Sequence, residues 1–177
     1  MTANETTVKT PRGSIAPLKN VAALMTMIET LRDRGFGLPG IGVFSGDSGY
    51  GKSVAAQYAM NRTGAIYIEV RHYWTSKTFC EALLSELGQH RPRGTIASLM
   101  RDILYRLGDA PDRPLIIDEA DRLLELGFSS DLTDILQRLP SRRQTLLFSA
   151  TMSRALQRLQ RLALNAPHVA DLAPTES

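Results

Sequence analysis

The sequence predicts an α/β fold in which a mostly parallel sheet of about five strands is covered by helices on both faces. Short apolar runs alternate with stretches of helical period along the chain. A glycine-rich turn, FSGDSGYGKS, links the first apolar run to a helix, and a later apolar run, PLIIDEAD, ends in acidic residues. These observations predict a three-layer domain with its chemistry at the carboxyl ends of the strands.

The composition is that of one globular domain. The 177 residues are 43% hydrophobic and 22% charged, and the net charge of +3 permits nucleic-acid binding without requiring it. The single cysteine, Cys80, has apolar neighbours, which indicates a packing role in a reducing compartment. No apolar run suits a membrane span and the N-terminus has no signal-peptide core, so we expect a cytoplasmic protein that has no membrane partner.

The polar segment 1–13 is expected to be a disordered tail, and 14–177 a single domain. Apolar periodicity predicts a first helix and then alternating strands and helices. Thr75 is expected to cap the third helix. The predicted strands are 41–45, 65–70, 114–118, 145–148 and 169–172, and the predicted helices are 18–34, 54–62, 76–87, 95–107, a helix after 118 that is interrupted at Gly127 and resumes to 139, and 154–164.

The glycine-rich turn fits the pattern G-x-x-x-x-G-K-[ST] of a phosphate-binding P-loop. Glycine lets backbone N–H groups converge on a phosphate chain, and the next helix adds its own N-terminal N–H groups. Lys52 is then expected to contact the β- and γ-phosphates of ATP, and the Ser53 hydroxyl to bind Mg²⁺. The alternative is a glycine-rich turn without a chemical role. The predicted nucleotide-binding residues are Gly46, Asp47, Ser48, Gly49, Tyr50, Gly51, Lys52, Ser53 and Val54.

The acidic pair after the third strand predicts a catalytic centre. Asp118 is expected to bind Mg²⁺, directly or through water, and Glu119 to orient and polarise the attacking water. The alternative is an acidic helix N-terminus, where carboxylates are favoured anyway. The predicted catalytic residues are thus Lys52, Asp118 and Glu119, and the predicted metal ligands are Ser53 and Asp118.

Two segments of the chain resemble two known families. Residues 15–121, with GDSGYGKS, EVRHYWTSKTFCEALLSELG and LIIDEAD, resemble the AAA+ ATPases of phage Mu-type DNA transposition. Residues 118–172, with DEADRLLELGF and LPSRRQTLLFSAT, resemble the core of DEAD-box RNA helicases. The resemblances meet at 118–121, so the chain looks like a P-loop NTPase core with halves of different lineage, an apparent chimera. A strand order like that of an AAA+ core is implied.

The resemblance also implies a role for the SAT triplet. Its strand is expected beside the P-loop strand, where Ser149 or Thr151 would sense the γ-phosphate. The alternative is an N-cap for the following helix, which Thr151 or Ser153 would provide.

Both resemblances are incomplete. The adenine-recognition, PTRELA and TPGR motifs of DEAD-box proteins are not visible, nor is a second RecA-like domain, and no AAA+ helical lid follows 172. We expect Mg²⁺-dependent ATP binding and hydrolysis coupled to nucleic-acid binding, with DNA favoured over RNA. Assembly into a homo-oligomer or with a partner subunit stays open. The alternatives are a DEAD-box-type RNA helicase core fragment and a nucleotide-dependent binding module with little hydrolysis.

Two further clusters are open to two interpretations. The segment 71–74, RHYW, suits either base stacking or core packing of the indole. The arginines in the last third of the chain could contact nucleic-acid phosphates or act as an arginine finger toward a neighbouring subunit. Alternatively, they form a solvated helix face. They are Arg138, Arg142, Arg143, Arg154, Arg158 and Arg161.

Overall fold

The computed structural model describes residues 19–34, 41–45, 51–125, 127, 129–138, 143–150, 152–163 and 168–171. The predicted tail 1–13 lies outside these ranges, as do residues 46–50 of the glycine-rich turn. Helices and strands alternate as the sequence predicts. The elements are α1 (Lys19–Arg32), β1 (Ile41–Ser45), α2 (Lys52–Thr63), β2 (Ile66–Glu69), α3 (Ser76–Glu86), α4 (Ile96–Asp109), β3 (Leu115–Asp118), α5 (Ala120–Glu125), α6 (Ser129–Arg138), β4 (Thr145–Ser149), α7 (Arg154–Ala163) and β5 (His168–Asp171).

The described strands form one sheet in the order β2-β3-β4-β1-β5, and each neighbouring pair is parallel. The SAT strand, β4, therefore lies beside β1, as the sequence predicts. This arrangement confirms the predicted α/β fold with a parallel sheet.

Helices cover both faces of the sheet because successive strand residues point to opposite sides. On β1, Phe44 packs with α1 and α2, whereas Val43 packs with the helices from α3 onward. Phe44 also contacts Phe148 of β4, with ring centroids 5.0 Å apart. The backbone of Gly42 passes so close to α1 that a Cβ there would lie 2.6 Å from the Met27 sulfur. The result is a three-layer domain with an apolar core on each side of the sheet.

Side-chain caps set the starts of three helices. The Thr75 hydroxyl accepts a hydrogen bond from the Thr78 N–H at 3.2 Å, which confirms the predicted cap of α3. Thr95 caps α4 in the same way, so this helix begins one residue later than predicted, at Ile96. Ser153 accepts from the Leu156 N–H at 3.2 Å at the start of α7. Gly127, with a φ of +86°, lies between α5 and α6, where the sequence predicts an interruption.

The position of Arg143 differs from the one that the sequence predicts. The sequence places it among arginines that are exposed or contact phosphates, but only 2% of its surface is accessible. Its guanidinium donates hydrogen bonds to the carbonyls of Leu107, Ala110 and Arg113, the last two at 2.6 and 2.7 Å. Burial, together with the charge of Arg113, lowers the pKa of Arg143 to about 10. Arg143 thus satisfies carbonyls at the end of α4 and in the loop before β3.

Replacing Arg143 by methionine is expected to lower the free energy of unfolding by about 3 kcal/mol. The change keeps apolar volume but leaves buried carbonyl groups without their donors. Urea denaturation followed by circular dichroism measures the effect. Arg158→Met, at an exposed position of α7, is the matched control and is expected to change stability by less than about 0.5 kcal/mol. Equal stability of the two variants would contradict the structural role of Arg143.

Candidate nucleotide-binding and catalytic site

The carboxyl ends of four strands meet at one edge of the sheet. Ser45 of β1 pairs with Ser149 of β4, and Glu69 of β2 pairs with Asp118 of β3. Because all strands are parallel, these ends lie along the same edge, where open α/β sheets bind ligands. Asp118 and Ser149, predicted from separate motifs, are therefore brought to one edge, together with the strand that leads into the glycine-rich turn.

The start of α2 lies directly after this turn. Gly51 has a φ of +78°, a left-handed conformation that glycine adopts without steric cost. Gly51 makes no side-chain cap on α2, and the N–H groups in the first turn of a helix are donors that can bind phosphate. Lys52 is 7% exposed, whereas Ser53 and Val54 are exposed. The predicted site residues Gly46, Asp47, Ser48, Gly49 and Tyr50 lie outside the described residues.

The carboxylate of Asp118 is buried and oriented by two hydrogen bonds. Only 4% of the residue is exposed. Its Oδ1 accepts from the backbone N–H of Glu119 at 2.9 Å, and its Oδ2 accepts from the Tyr67 hydroxyl at 2.7 Å. Burial and the hydrogen bond to Asp118 raise the pKa of Tyr67 far above its usual range, so the phenol stays protonated as the donor. Tyr67 belongs to no motif, and sequence reasoning missed it.

Glu119 has an unusual backbone. Its φ of +57° lies in the left-handed region, which costs a residue with a Cβ about 1–2 kcal/mol. Such conformations persist only where the surrounding structure holds them, and they are enriched at functional sites. The Glu119 carboxylate forms an ion pair with the Arg122 guanidinium, with 2.9 Å between Oε2 and Nε. Glutamate has no strong preference for positive φ, so no signal in the sequence indicates this geometry.

The segments that follow β3 and β4 contain both predicted site residues and one residue that was not predicted. Ser149 is fully buried at the site edge, and Thr151 lies outside the described residues. Ser153 makes the α7 cap, which confirms one of the alternatives for this segment. Asp121, not predicted as a site residue, is buried, and its Oδ1 has no hydrogen-bond partner among the described residues. Sensing of the γ-phosphate by Ser149 or Thr151 stays a prediction.

The RHYW segment follows β2 at the same edge. Arg71 forms an ion pair with Glu69 at 3.0 Å, and Tyr73 is 71% exposed and in edge contact with His72. Trp74 packs against the apolar core, so the packing interpretation holds for the indole. The exposed Arg71, His72 and Tyr73 stay at the surface beside the site.

Of the late arginines, Arg154, Arg158 and Arg161 are exposed on α7 at helical spacing, as the solvated-face interpretation predicts. Arg138 is exposed at the end of α6, and Arg142 lies outside the described residues. The exposed face of α7 thus carries three arginines.

An apolar cavity of about 650 Å³ lies elsewhere, between α3, α4, α5 and α6. Phe79, Met100, Leu123 and Ile135 are among its lining residues. These helices cover the sheet face opposite α1 and α2. The cavity is thus separate from the site at the start of α2.

The donor set at the sheet edge fits Mg²⁺. One buried carboxylate, Asp118, and one exposed hydroxyl at the start of α2, Ser53, offer oxygen ligands. Mg²⁺ in nucleotide sites takes one or two ligands from the protein and completes its shell with phosphates and water.

Comparison with known proteins reveals two kinds of similarity. A family profile described as an AAA domain matches residues 37–163. DEAD-box ATP-dependent RNA helicase 28 of Oryza sativa is 57% identical over 53 residues, 30% of this chain and 7% of that protein. ATP-dependent rRNA helicase SPB4 of Chaetomium globosum is 45% identical over 75 residues, 42% of this chain and 12% of that protein. The chain thus spans a small part of these relatives.

Two solved structures share the fold over most of the chain. The ORC1 protein of Aeropyrum pernix, solved in complex with DNA, aligns with a TM-score of 0.61 and 16% identity over 90% of this chain and 46% of that one. Cdc6p of Pyrobaculum aerophilum aligns with a TM-score of 0.64 and 15% identity over 93% of this chain and 47% of that one. At this identity the likeness establishes the fold alone.

In the part of the chain that the structure describes, no helix is both long and apolar enough to span a membrane.

The AAA profile and the local helicase matches confirm a P-loop NTPase of mixed resemblance. Since the profile covers most of its length, the chain belongs to the AAA domain family of P-loop NTPases.

Proposed function

We propose that the chain binds ATP with Mg²⁺, hydrolyses it, and couples this activity to nucleic-acid binding, with DNA favoured over RNA. One observation carries the proposal: the buried Asp118 carboxylate lies at the same sheet edge as the strand that leads through the glycine-rich turn to Lys52. Both sequence motifs thereby meet where open α/β sheets bind ligands.

The residues divide the work as follows. Lys52 and the N–H groups at the start of α2 bind the phosphates. Ser53 and Asp118 hold Mg²⁺, which neutralises charge on the phosphate oxygens when bound. Glu119 orients the attacking water, for which its carboxylate has to turn away from Arg122 or share its oxygens with that guanidinium. Ser149, or Thr151, contacts the γ-phosphate.

Nucleic-acid binding is supported by charge and by the relatives. Arg154, Arg158 and Arg161 make the exposed face of α7 basic, and Arg71 and Tyr73 offer a cation and a stacking surface beside the site. DNA is favoured because residues 15–121 resemble AAA+ ATPases of DNA transposition, whereas the matches to RNA helicases cover 30% and 42% of the chain.

The ion pair between Glu119 and Arg122 favours a second candidate, a nucleotide-dependent binding module. The contact of Glu119 Oε2 with the Arg122 Nε at 2.9 Å competes with a contact of this carboxylate to water. In that case the chain would bind ATP and barely hydrolyse it.

ATP titration calorimetry and steady-state phosphate release, each with and without duplex DNA or single-stranded RNA, test the proposal. We expect ATP binding, measurable turnover and stimulation by DNA that falls steeply as salt rises. Binding without turnover would establish the module instead. Stimulation by RNA alone, together with displacement of a labelled short duplex, would favour the helicase core. Absence of ATP binding would overturn all three functions.

A further inference from the structure

The side chain of Tyr67, on the neighbouring strand β2, donates a hydrogen bond to the Asp118 carboxylate. Glu69 of β2 is in register with Asp118 of β3, and Tyr67 lies two residues before Glu69. Since side chains alternate along a strand, Tyr67 and Asp118 lie on the same face of the sheet, the one covered by α1 and α2. The Tyr67 ring packs partly against this core, and its hydroxyl is 2.7 Å from Asp118 Oδ2.

Two donors fix the plane of the Asp118 carboxylate. The Glu119 N–H binds Oδ1 and the Tyr67 hydroxyl binds Oδ2. The terminal torsion of an aspartate is otherwise broad, so the group would rotate if one donor were lost. An ionised carboxylate has about four acceptor sites, and these two bonds leave each oxygen free to accept another. The direction in which the free lone pairs point is thus set by Tyr67 and the backbone together.

We propose that Tyr67 is a positioning residue that fixes the Asp118 carboxylate in the orientation needed to bind Mg²⁺ or its water shell. The inference rests on the proposed function, since it assigns Asp118 to the metal. In this role Tyr67 acts through Asp118 and needs no contact of its own with nucleotide or metal. It acts by removing the rotational freedom of a ligand that is already buried.

The test compares Tyr67→Phe with wild type in ATP binding measured over a Mg²⁺ series and in excess EDTA. The phenylalanine ring keeps the packing and removes only the donor. We expect the Mg²⁺ concentration for half-maximal enhancement of ATP binding to rise about tenfold, the effect of one hydrogen bond to a charged group. ATP affinity in EDTA is expected to stay unchanged. Tyr105→Phe, at a position that is 74% exposed on α4, is the matched control and is expected to match wild type in both conditions.

A double-mutant cycle with Asp118→Asn separates positioning from a general structural effect. If Tyr67 acts through the carboxylate, Tyr67→Phe will have little further effect on the Mg²⁺ dependence in the Asp118→Asn background. An undiminished effect there, a wild-type Mg²⁺ dependence of Tyr67→Phe, or an equal loss of ATP binding in EDTA would each overturn the positioning role. These outcomes differ from failure of the proposed function, in which wild type itself would not bind ATP.

Discussion

Lys52→Ala is expected to weaken ATP binding by at least about 100-fold, or about 3 kcal/mol. The variant loses the charged donor that Lys52 offers to the phosphates, and a hydrogen bond to a charged group contributes about 1.5–3 kcal/mol. The fold is expected to persist, because the change removes no apolar side chain and alanine is a strong helix former at the first residue of α2. Calorimetric titration with ATP and Mg²⁺ measures the loss, and circular dichroism verifies the fold.

Lys77→Ala is the matched control for this experiment. Lys77 is exposed on α3 and forms an ion pair with Glu81 at 3.9 Å, a contact of little energetic consequence. We expect this variant to bind ATP as wild type does. Wild-type affinity of Lys52→Ala would refute the assignment of the glycine-rich turn to phosphate binding.

Glu119→Gln is expected to slow ATP hydrolysis at least about 100-fold while ATP affinity stays near that of wild type. General-base catalysis contributes about 10²–10⁴ in rate, and the amide is a poor base of almost the same shape. The lost ion pair with Arg122 is partly exposed and contributes at most about 1 kcal/mol to stability. Glutamine also faces the same left-handed backbone requirement, so the change leaves the strain at this position nearly constant.

Single-turnover phosphate release, with ATP binding measured in parallel, isolates this effect. Glu125→Gln, an exposed position at the end of α5, removes the same charge away from the sheet edge and is expected to leave turnover unchanged. If Glu119→Gln hydrolyses ATP as fast as wild type, Glu119 is only a charge at a helix terminus.

Much of the fold could be predicted because its signals are local. The apolar runs of the five strands, the Thr75 cap and the interruption at Gly127 are all set by residues close in sequence. The two motifs could be recognised for the same reason. The parallel sheet then brings the ends of β1, β3 and β4 to one edge, as alternating strands and helices require.

Other features were decided only by the tertiary structure. The sequence predicts that Arg143 lies at the surface. The fold instead buries it against three backbone carbonyls that lie at least 30 positions away in sequence, those of Leu107, Ala110 and Arg113. The left-handed backbone of Glu119 is held by its surroundings, since its own propensity disfavours it.

The hydrogen bond between Tyr67 and Asp118 shows most directly which features the sequence predicts and which depend on the tertiary structure. The sequence by itself predicted that Asp118 ends a buried strand and that residues 65–70 form another strand. Which residue of β2 faces the carboxylate depends on the register of two strands whose bonded side chains are 51 positions apart. A shift of one residue would turn Tyr67 to the other face of the sheet. Only the packing of both faces in three dimensions selects the register that places the hydroxyl on Asp118.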